Sequence, residues 1–360
     1  MPATANLGLE GVVAFETEIA EPDREGSALR YRGVDIEELG GTVPFEQVWG
    51  LVVNESLGRG LSLPGPACEP VTRSGDARAD LQATLPTLAP RWGLKQLVDI
   101  DADQARDDLA KLSSATISIV AQALRGDETP VPTSEVEQGK TAAEQFMIRW
   151  HGELDETKAK ALDVYWVSAA EHGMNASTFT ARIAASTGAD CAACIASAVG
   201  SLSGPLHGGA PARVLPMLDA VAELGDADRY VSDLLARGER IMGFGHRVYR
   251  AEDPRSRVLK RTATELGSPR VEAAEALERA AIAALKEKYP DRPLETNVEF
   301  WGAIVLEMAE IPAAVTPALF ACARTAGWSA HIVEQKLTGR LIRPSAKYVG
   351  PPERPLAELG

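Results

Sequence analysis

The sequence is poor in aromatic residues, in cysteine and in net positive charge. Phe, Trp and Tyr make up 5% of the 360 residues, so the core must be built mostly from Ala, Leu, Val and Ile. This composition favours closely packed helices over a sheet-rich fold. The formal net charge is −14, which makes the chain a poor general ligand for nucleic acid or an anionic membrane. An anionic ligand would therefore need local clusters of arginine.

The four cysteines, at positions 68, 191, 194 and 322, lack the spacing of a disulfide framework. Cys191 and Cys194 form a CxxC pair, but neither a second pair nor a nearby histidine completes a metal site. We expect two small core residues on one face of a helix, and no metal or other cofactor. The sequence also lacks a signal-peptide pattern and an apolar run of roughly 18 residues. We therefore expect a cytoplasmic protein that does not span a membrane.

Hydrophobic periodicity predicts a mainly α-helical fold after a short N-terminal β hairpin. Residues 7–40 combine Gly and β-branched residues, which is typical of short strands before a helix. Ser134 and Glu137 form a capping box and predict a helix start at this point. Residues 174–203 are dominated by small side chains, which favour a close helix–helix or subunit interface. The predicted helices lie near residues 45–57, 79–88, 103–126, 134–150, 155–171, 211–223, 228–238, 254–266, 270–287, 299–310 and 314–337.

The densest cluster of functional residue types lies between Gly243 and Arg255. Its sequence is Gly-Phe-Gly-His-Arg-Val-Tyr-Arg-Ala-Glu-Asp-Pro-Arg. The glycines let the backbone bend and come close to a ligand, and His246 would lie at the tip of the loop. So many fixed positive donors suit an anion that carries carboxylates or phosphates. A solvated basic surface turn has the same composition and remains an alternative at this point.

Two other histidines lie next to glycines, where a functional side chain would be presented. They are His172 in Glu-His-Gly-Met-Asn and His207 in Gly-Pro-Leu-His-Gly-Gly. We expect a helix from about Pro211, whose positive N-terminus would keep His207 neutral and able to donate to an oxyanion. The alternative for His207 is a loop histidine bonded to backbone. His151 and His331 lie in ordinary helical context, and we expect them to be exposed or core residues.

Glu299 is the acidic residue with the most unusual surroundings, in Asn-Val-Glu-Phe-Trp-Gly at the start of a helical run. Partial burial would raise the pKa of its carboxyl group and make it a better base. The alternative is a first-turn glutamate that the helix dipole stabilises. Arg324 interrupts an apolar helix and Arg343 precedes a proline. Taken singly, each is more typical of a salt-bridged structural arginine.

Taken together, these motifs resemble the citrate synthase family. The resemblance extends from Leu29-Arg-Tyr-Arg-Gly-Val-Asp-Ile36 to Arg343-Pro-Ser-Ala-Lys-Tyr-Val349, and it is strongest to a short form found in some actinobacteria. It implies a Claisen-type condensation of acetyl-CoA with oxaloacetate, followed by hydrolysis of citryl-CoA, which is a step of the tricarboxylic acid cycle. It also implies a homodimer. A large domain would comprise residues 1–209 and 316–360, and residues 210–315 would form a small domain that closes over the substrates.

The resemblance also implies roles for individual residues. Glu299 would be the base that removes the methyl proton of acetyl-CoA. His207 would stabilise the resulting enol or enolate, and His246 would polarise the oxaloacetate carbonyl and protonate the alkoxide. The implied oxaloacetate ligands are His172, Arg255, Arg324 and an Arg343 supplied by the neighbouring subunit. The implied contacts to the CoA phosphates are Arg250 and Arg292.

One departure from the family pattern concerns the base. Most of the family has Asp in Asn-Val-Asp-Phe, whereas this chain has the longer Glu299. A misplacement of roughly 1 Å can cost about 10²-fold in rate, so either the backbone compensates or the acyl-CoA preference differs. One alternative is therefore a 2-methylcitrate synthase that uses propionyl-CoA. A second alternative is a non-catalytic relative that binds acyl-CoA or a dicarboxylate.

Overall fold

A helix of mostly small residues, Thr316–Thr338, lies at the centre of the fold. The computed structural model describes residues 7–9, 11–23, 28–204, 207, 214–246, 249, 252–292 and 294–355. Ala, Cys, Gly and Ser along this helix let its neighbours approach closely, and it is buried over most of its length. The scarcity of aromatic residues thus leads to the close helix packing that the composition predicts.

The described residues form a small sheet and a series of helices. The strands are β1 (Ala20–Pro22), β2 (Leu29–Tyr31) and β3 (Val34–Asp35). The helices are α1 (Ile36–Leu39), α2 (Phe45–Asn54), α3 (Ala77–Trp92), α4 (Ala102–Arg125), α5 (Thr133–Val136), α6 (Ala142–His151), α7 (Glu156–Ala169), α8 (Ala176–Ser186), α9 (Cys191–Leu202), α10 (Val214–Leu224), α11 (Ala227–Ala236), α12 (Pro254–Glu265), α13 (Val271–Lys288), α14 (Val298–Met308) and α15 (Thr316–Thr338).

The predicted N-terminal hairpin is confirmed. The three strands are antiparallel in the order β1-β2-β3, and Tyr31 of β2 pairs with Ala20 of β1 and with Val34 of β3. Arg32 and Gly33 have φ angles of 49° and 84°, which a two-residue turn between twisted strands favours. The buried hydroxyl group of Tyr31 lies 3.1 Å from the carbonyl oxygens at both Val167 and Glu171. The hairpin is therefore fixed against the end of α7.

The helices form two groups that meet at α7. Helix α15 packs against α2, α4, α7, α8 and α9, and α8 lies along α9. Helices α10 to α14 pack mainly on one another, and α12 and α14 also pack on α7. This grouping supports a small domain at 210–315, but the exact division of the chain stays a prediction. Among the described residues, none of the helices is both long enough and apolar enough to cross a bilayer.

The predicted helix at 134–150 is wrong, because this segment contains two helices. Helix α5 begins at Thr133, so Ser134 is not its N-cap. Helix α6 begins after Thr141, whose hydroxyl oxygen accepts the Glu144 N–H at 3.2 Å. Gly139 lies between the two helices, where an added Cβ would be 2.9 Å from the Gln145 backbone nitrogen. This close approach requires glycine and outweighs the local capping pattern.

The expectations for the less conspicuous residues are confirmed. Cys191 and Cys194 are fully buried in α9, and burial raises the pKa of the Cys194 thiol to about 12. His331 is a fully buried core histidine. Its Nε2 lies 3.3 Å from Glu171 Oε1, and its Nδ1 lies 2.9 Å from a guanidinium nitrogen of Arg182. His331 therefore connects the Glu171 carboxylate to the Arg182 guanidinium near the end of α7.

Gly327 of α15 provides a test of this packing. A methyl group at this position would lie 1.9 Å from Glu171 Oε2 and 2.8 Å from the Ala170 carbonyl oxygen. We expect Gly327→Ala to lower the free energy of unfolding by about 1–3 kcal/mol, measured by chemical denaturation. Gly302→Ala is the matched control, because its Cβ would make only an ordinary contact of 3.5 Å with Tyr165. Equal stability of the Gly327 variant and the parent would contradict this packing.

Candidate active site

The loop at Gly243–His246 is held against the start of α14. The Gly245 N–H donates to the Glu295 carbonyl oxygen at 2.8 Å, and the Asn297 N–H donates to that of Gly243 at 2.9 Å. Gly243 has a φ of 84°, and an added Cβ would be 2.9 Å from the Cβ of Phe300. Glycine is therefore required by both the backbone angle and the close approach. The loop places His246 beside the helix that carries Glu299.

A buried ion pair fixes the next segment. Asp253 is the N-cap of α12 and accepts the Arg255 backbone N–H at 3.0 Å. Its carboxylate also accepts from the Arg255 guanidinium at 2.9 and 2.7 Å, and from the Val298 N–H at 3.1 Å. Burial alone would raise the pKa of Asp253, but the charge and hydrogen bonds of Arg255 hold it below its usual value. The pair is therefore charged and joins α12 to α14.

His246 and Arg255 direct hydrogen-bond donors toward the same space. The Tyr249 N–H donates to His246 Nδ1 at 3.3 Å, which favours the tautomer of the neutral ring with its proton on Nε2. His246 Nε2 and a donor nitrogen of the Arg255 guanidinium are 3.2 Å apart, close enough for both to donate to one bound oxygen. Burial and the charge of Arg255 lower the pKa of His246 to about 4. A neutral imidazole N–H and a charged guanidinium thus converge where an oxygen acceptor can bind.

His172 lies between α7 and α8 and contacts the same cluster. Its Nε2 is 3.0 Å from the Tyr249 hydroxyl oxygen, and its ring centroid is 5.0 Å from that of His246. Burial, followed by the charges of Arg255 and other neighbours, lowers the pKa of His172 well below its ordinary value. His172 is therefore neutral, and its ring position depends on Tyr249.

Arg324 brings a second guanidinium to the site from α15, and it is 2% exposed. Its Nε donates to the Ala169 carbonyl oxygen at 2.8 Å, which is its one hydrogen bond within the described part of the chain. Phe320, one turn earlier, has its ring centroid 4.6 Å from the guanidinium carbon. Burial lowers the pKa of Arg324. Both terminal nitrogens are thus available to a carboxylate.

His207 is hydrogen-bonded to Ser177, near the start of α8. Its Nε2 lies 2.8 Å from Ser177 Oγ, which also accepts the Trp328 indole N–H at 3.1 Å. Burial and the charge of Arg324 lower the pKa of His207 to about 4. The neutral state is as expected, but it follows from burial and Arg324. The expected helix start at Pro211 lies outside the described residues.

Glu299 is the second residue of α14, and its N–H donates to Asn297 Oδ1 at 3.0 Å. Burial raises the pKa of its carboxyl group, although Arg255 partly offsets this effect. The prediction of a partly buried glutamate with a raised pKa is therefore confirmed. Its carboxylate has no hydrogen bond within the described residues, so it is free to accept a proton.

Not all predicted residues meet at this site. Arg343 is exposed on the extended segment after α15, where the neighbouring Ile342 N–H donates to Ser186 Oγ at 3.1 Å. Arg292 is exposed just after α13. Arg250 lies outside the described residues. The cluster within this chain therefore contains six of the nine predicted residues, namely His172, His207, His246, Arg255, Glu299 and Arg324.

Three residues that contribute to the site were not singled out from the sequence. Asp253 precedes a proline at a helix start, which is a recognisable N-cap pattern. Tyr249 lies within the predicted loop, and its pKa is raised by burial. Ser177 follows His172 in Asn-Ala-Ser-Thr, with no local pattern that identifies it. Only the pattern at Asp253 could have been recognised without the fold.

Comparison with known proteins places this site in a family. A model of the citrate synthase C-terminal domain matches residues 8–345. "Putative citrate synthase 2" of Mycobacterium tuberculosis is 58% identical over 96% of this chain and 93% of its own length. The 2-methylcitrate synthase of Shewanella oneidensis is 31% identical, over 95% of this chain and 94% of its own. The chain belongs to the citrate synthase family.

The solved structures support the same conclusion. Citrate synthase from Thermoplasma acidophilum, in a ternary complex with carboxymethyl coenzyme A and oxaloacetate, matches with a TM-score of 0.81. It is 28% identical, and the match covers 99% of each chain. Members of the family are acyltransferases that use acetyl-CoA and oxaloacetate. This chain is therefore an enzyme of the acyltransferase class with the predicted mainly helical fold.

The lowered pKa of His246 predicts a pH dependence of stability. A histidine in the unfolded chain has a pKa of about 6.5, whereas His246 in the folded protein has a pKa of about 4. Between these pH values the unfolded chain binds the additional proton, so stability falls as the pH is lowered. As the pH is lowered from about 7 to about 5, the free energy of unfolding should fall less in His246→Gln than in the parent. Chemical denaturation at each pH measures this difference. An equal loss in both proteins would contradict the lowered pKa.

Proposed function

We propose that this enzyme condenses acetyl-CoA with oxaloacetate and hydrolyses citryl-CoA to citrate and CoA. The observation that carries this proposal is the convergence of the His246 ring and the Arg255 guanidinium, 3.2 Å apart, beside the partly buried Glu299. A ketone oxygen that enters this space would accept from neutral His246 Nε2. The carbonyl carbon would become more electrophilic as a result, which is what attack by an enolate requires.

The cluster also suits the two carboxylates of oxaloacetate. Arg255 and Arg324 cannot deprotonate at physiological pH and present planar donor pairs that match carboxylate geometry. His172 lies beside His246, with ring centroids 5.0 Å apart, and its neutral ring can donate a further hydrogen bond. Arg324 is better suited than Arg255 to neutralise a substrate carboxylate, because the charge of Arg255 is already balanced by Asp253. We assign His172, Arg255 and Arg324 to oxaloacetate.

The acyl-CoA chemistry is assigned to Glu299 and His207. Glu299 removes a proton from the methyl group, and its raised pKa makes it a stronger base. His207 stabilises the enol or enolate oxygen, and its ring is held by the contact between Nε2 and the Ser177 hydroxyl group. The enolate carbon then forms a bond to the ketone carbon, and His246 donates its proton to the alkoxide. Water finally attacks the thioester carbonyl, and CoA leaves as the thiol.

A second copy of the chain would complete the site. Arg343 is exposed on the C-terminal segment, together with the large apolar side chains of Leu341, Tyr348 and Val349. A neighbouring subunit that covers these apolar groups would gain hydrophobic stabilisation and could receive Arg343 at its own site. We therefore propose a homodimer. We also propose Arg250 and Arg292 as CoA phosphate contacts, and residues 210–315 as the domain that closes over the substrates. The cytoplasmic location stays a prediction.

Two acyl-CoA substrates are candidates for this enzyme. The 2-methylcitrate synthase of Shewanella oneidensis is related to this chain, so propionyl-CoA is the second candidate substrate. We favour acetyl-CoA because the chain is 58% identical to the relative named "Putative citrate synthase 2" and 31% identical to the 2-methylcitrate synthase. A non-catalytic role is disfavoured because the base, both histidine donors and two arginines lie together.

A thiol-release assay tests the proposal directly. Free CoA should appear only when oxaloacetate is present, and kcat/KM should be higher for acetyl-CoA than for propionyl-CoA. A higher kcat/KM for propionyl-CoA than for acetyl-CoA would instead identify the enzyme as a 2-methylcitrate synthase. Tight binding of both substrates without thiol release would contradict an enzymatic role.

Substitution of the base provides a second test. We expect Glu299→Gln to lower kcat by about 10²–10⁴-fold, because it removes the base. Glu299→Asp keeps a carboxylate but shortens its reach, and a misplacement of roughly 1 Å can cost about 10²-fold. Both kcat values follow from the same thiol assay. A kcat for Glu299→Asp above that of the parent would show that glutamate is not the fitted base.

A further inference from the structure

A buried carboxylate lies behind the helix that carries Glu299. Glu278 of α13 is 8% exposed. Its Oε1 accepts from the Thr296 hydroxyl group at 3.0 Å and from the Trp301 indole N–H at 2.9 Å. Its Oε2 accepts from Lys260 Nζ at 2.8 Å. Both oxygens are therefore bonded, and the carboxylate is held on three sides.

The partners of Glu278 lie on both sides of Glu299 in the chain. Thr296 is 2% exposed and precedes the Asn297 N-cap, while Trp301 is fully buried in the first turn of α14. One carboxylate therefore holds the residue three positions before Glu299 and the residue two positions after it. Displacement of Glu278 would release the two residues that flank the Asn297–Glu299 start of α14.

Lys260 connects this cluster to the oxaloacetate side of the site. It lies on α12, the helix that begins at Pro254 and carries Arg255. Its ammonium group is bonded to Glu278 and also lies 5.1 Å from the Trp301 ring centroid. Helices α12, α13 and α14 are thus joined around one buried acid. Loss of the acid would leave the Trp301 N–H and the Thr296 hydroxyl group buried without a partner, which is costly.

We infer that Glu278 is a positioning residue that sets the reach of the Glu299 carboxylate toward the acyl-CoA. This inference rests on the proposed role of Glu299 as the base. The Glu299 N–H donates to Asn297 Oδ1, so a shift of the helix start would carry the Glu299 carboxylate with it. The backbone at 296–301 must therefore be placed correctly for the longer carboxylate, and Glu278 holds it from both sides.

The variant Glu278→Gln keeps the shape of the side chain, but its single carbonyl oxygen cannot replace both carboxylate oxygens. Its NH2 group must therefore face either the Lys260 ammonium or the donors of Thr296 and Trp301. We expect kcat to fall by about 10-fold or more, while the KM for oxaloacetate stays within about twofold of the parent. This split is expected because His172 and Arg324 belong to other elements, and because Arg255 is held by its own ion pair with Asp253. Glu275→Gln is the matched control: Glu275 pairs with Lys260 at 3.3 Å from the same helix but contacts neither Thr296 nor Trp301. Its kcat should be unchanged.

Two further measurements separate positioning from general destabilisation. Thr296→Val removes one donor to Glu278 with little change of shape. It should lower kcat while leaving the KM for oxaloacetate nearly unchanged, so it tests the positioning role even if the Gln variant does not fold. In the Glu299→Asp background, the fold-loss from Glu278→Gln should be smaller, since the carboxylate is already misplaced.

The outcomes are distinguishable from those of the proposed function. Thiol release by the parent, together with an unchanged kcat in both the Glu278 and Thr296 variants, would overturn this inference alone. So would a fold-loss that is equal in the parent and Glu299→Asp backgrounds. Absence of thiol release by the parent would overturn the proposed function and this inference with it.

Discussion

The rest of the site depends on the buried Asp253 carboxylate. It begins α12, orients the Arg255 guanidinium and holds the Val298 N–H at the start of α14. Removing either partner of a buried ion pair leaves an uncompensated charge, which costs about 3–5 kcal/mol. The three contacts therefore form as a unit. His246 contacts Arg255, and Glu299 follows Val298 in the chain, so the same carboxylate positions both residues that we propose for the oxaloacetate side and the acyl-CoA side of the site.

The electrostatic balance of the site follows from this pair. Asp253 offsets Arg255, and burial with the neighbouring guanidinium groups keeps His207 and His246 neutral. Among the described residues of the site, Arg324 is then the cation that no carboxylate pairs directly. Oxaloacetate carries two negative charges, so the described residues of one chain supply less positive charge than the substrate carries. An exposed arginine on the C-terminal segment of a second copy would supply the difference, which is the physical reason for placing Arg343 in a homodimer.

Local patterns were sufficient to predict part of this arrangement. The hairpin, the helix start before Glu299 and its raised pKa all follow from residues close together in the chain. The break between α5 and α6 could not be predicted, because Gly139 packs against α6 in a way that no local pattern reveals. His207 was expected to be neutral for a local reason, whereas the cause is burial and the distant Arg324. Contacts between segments far apart in the chain decide such cases, and a single sequence does not contain them explicitly.

Hydrogen bonds fix the backbone that carries the longer side chain of Glu299. Asn297 is bonded to Gly243 through its N–H and to Gly245 through its side chain. Its side-chain oxygen also accepts the N–H of Glu299. With Val298 held by Asp253, every residue from 297 to 299 has a bonded backbone N–H. These bonds and the contacts of Glu278 together resist a shift of the first turn of α14. The reach of the Glu299 carboxylate is therefore set by the surrounding fold, and a change in side-chain length must be matched by groups that do not themselves touch the substrate.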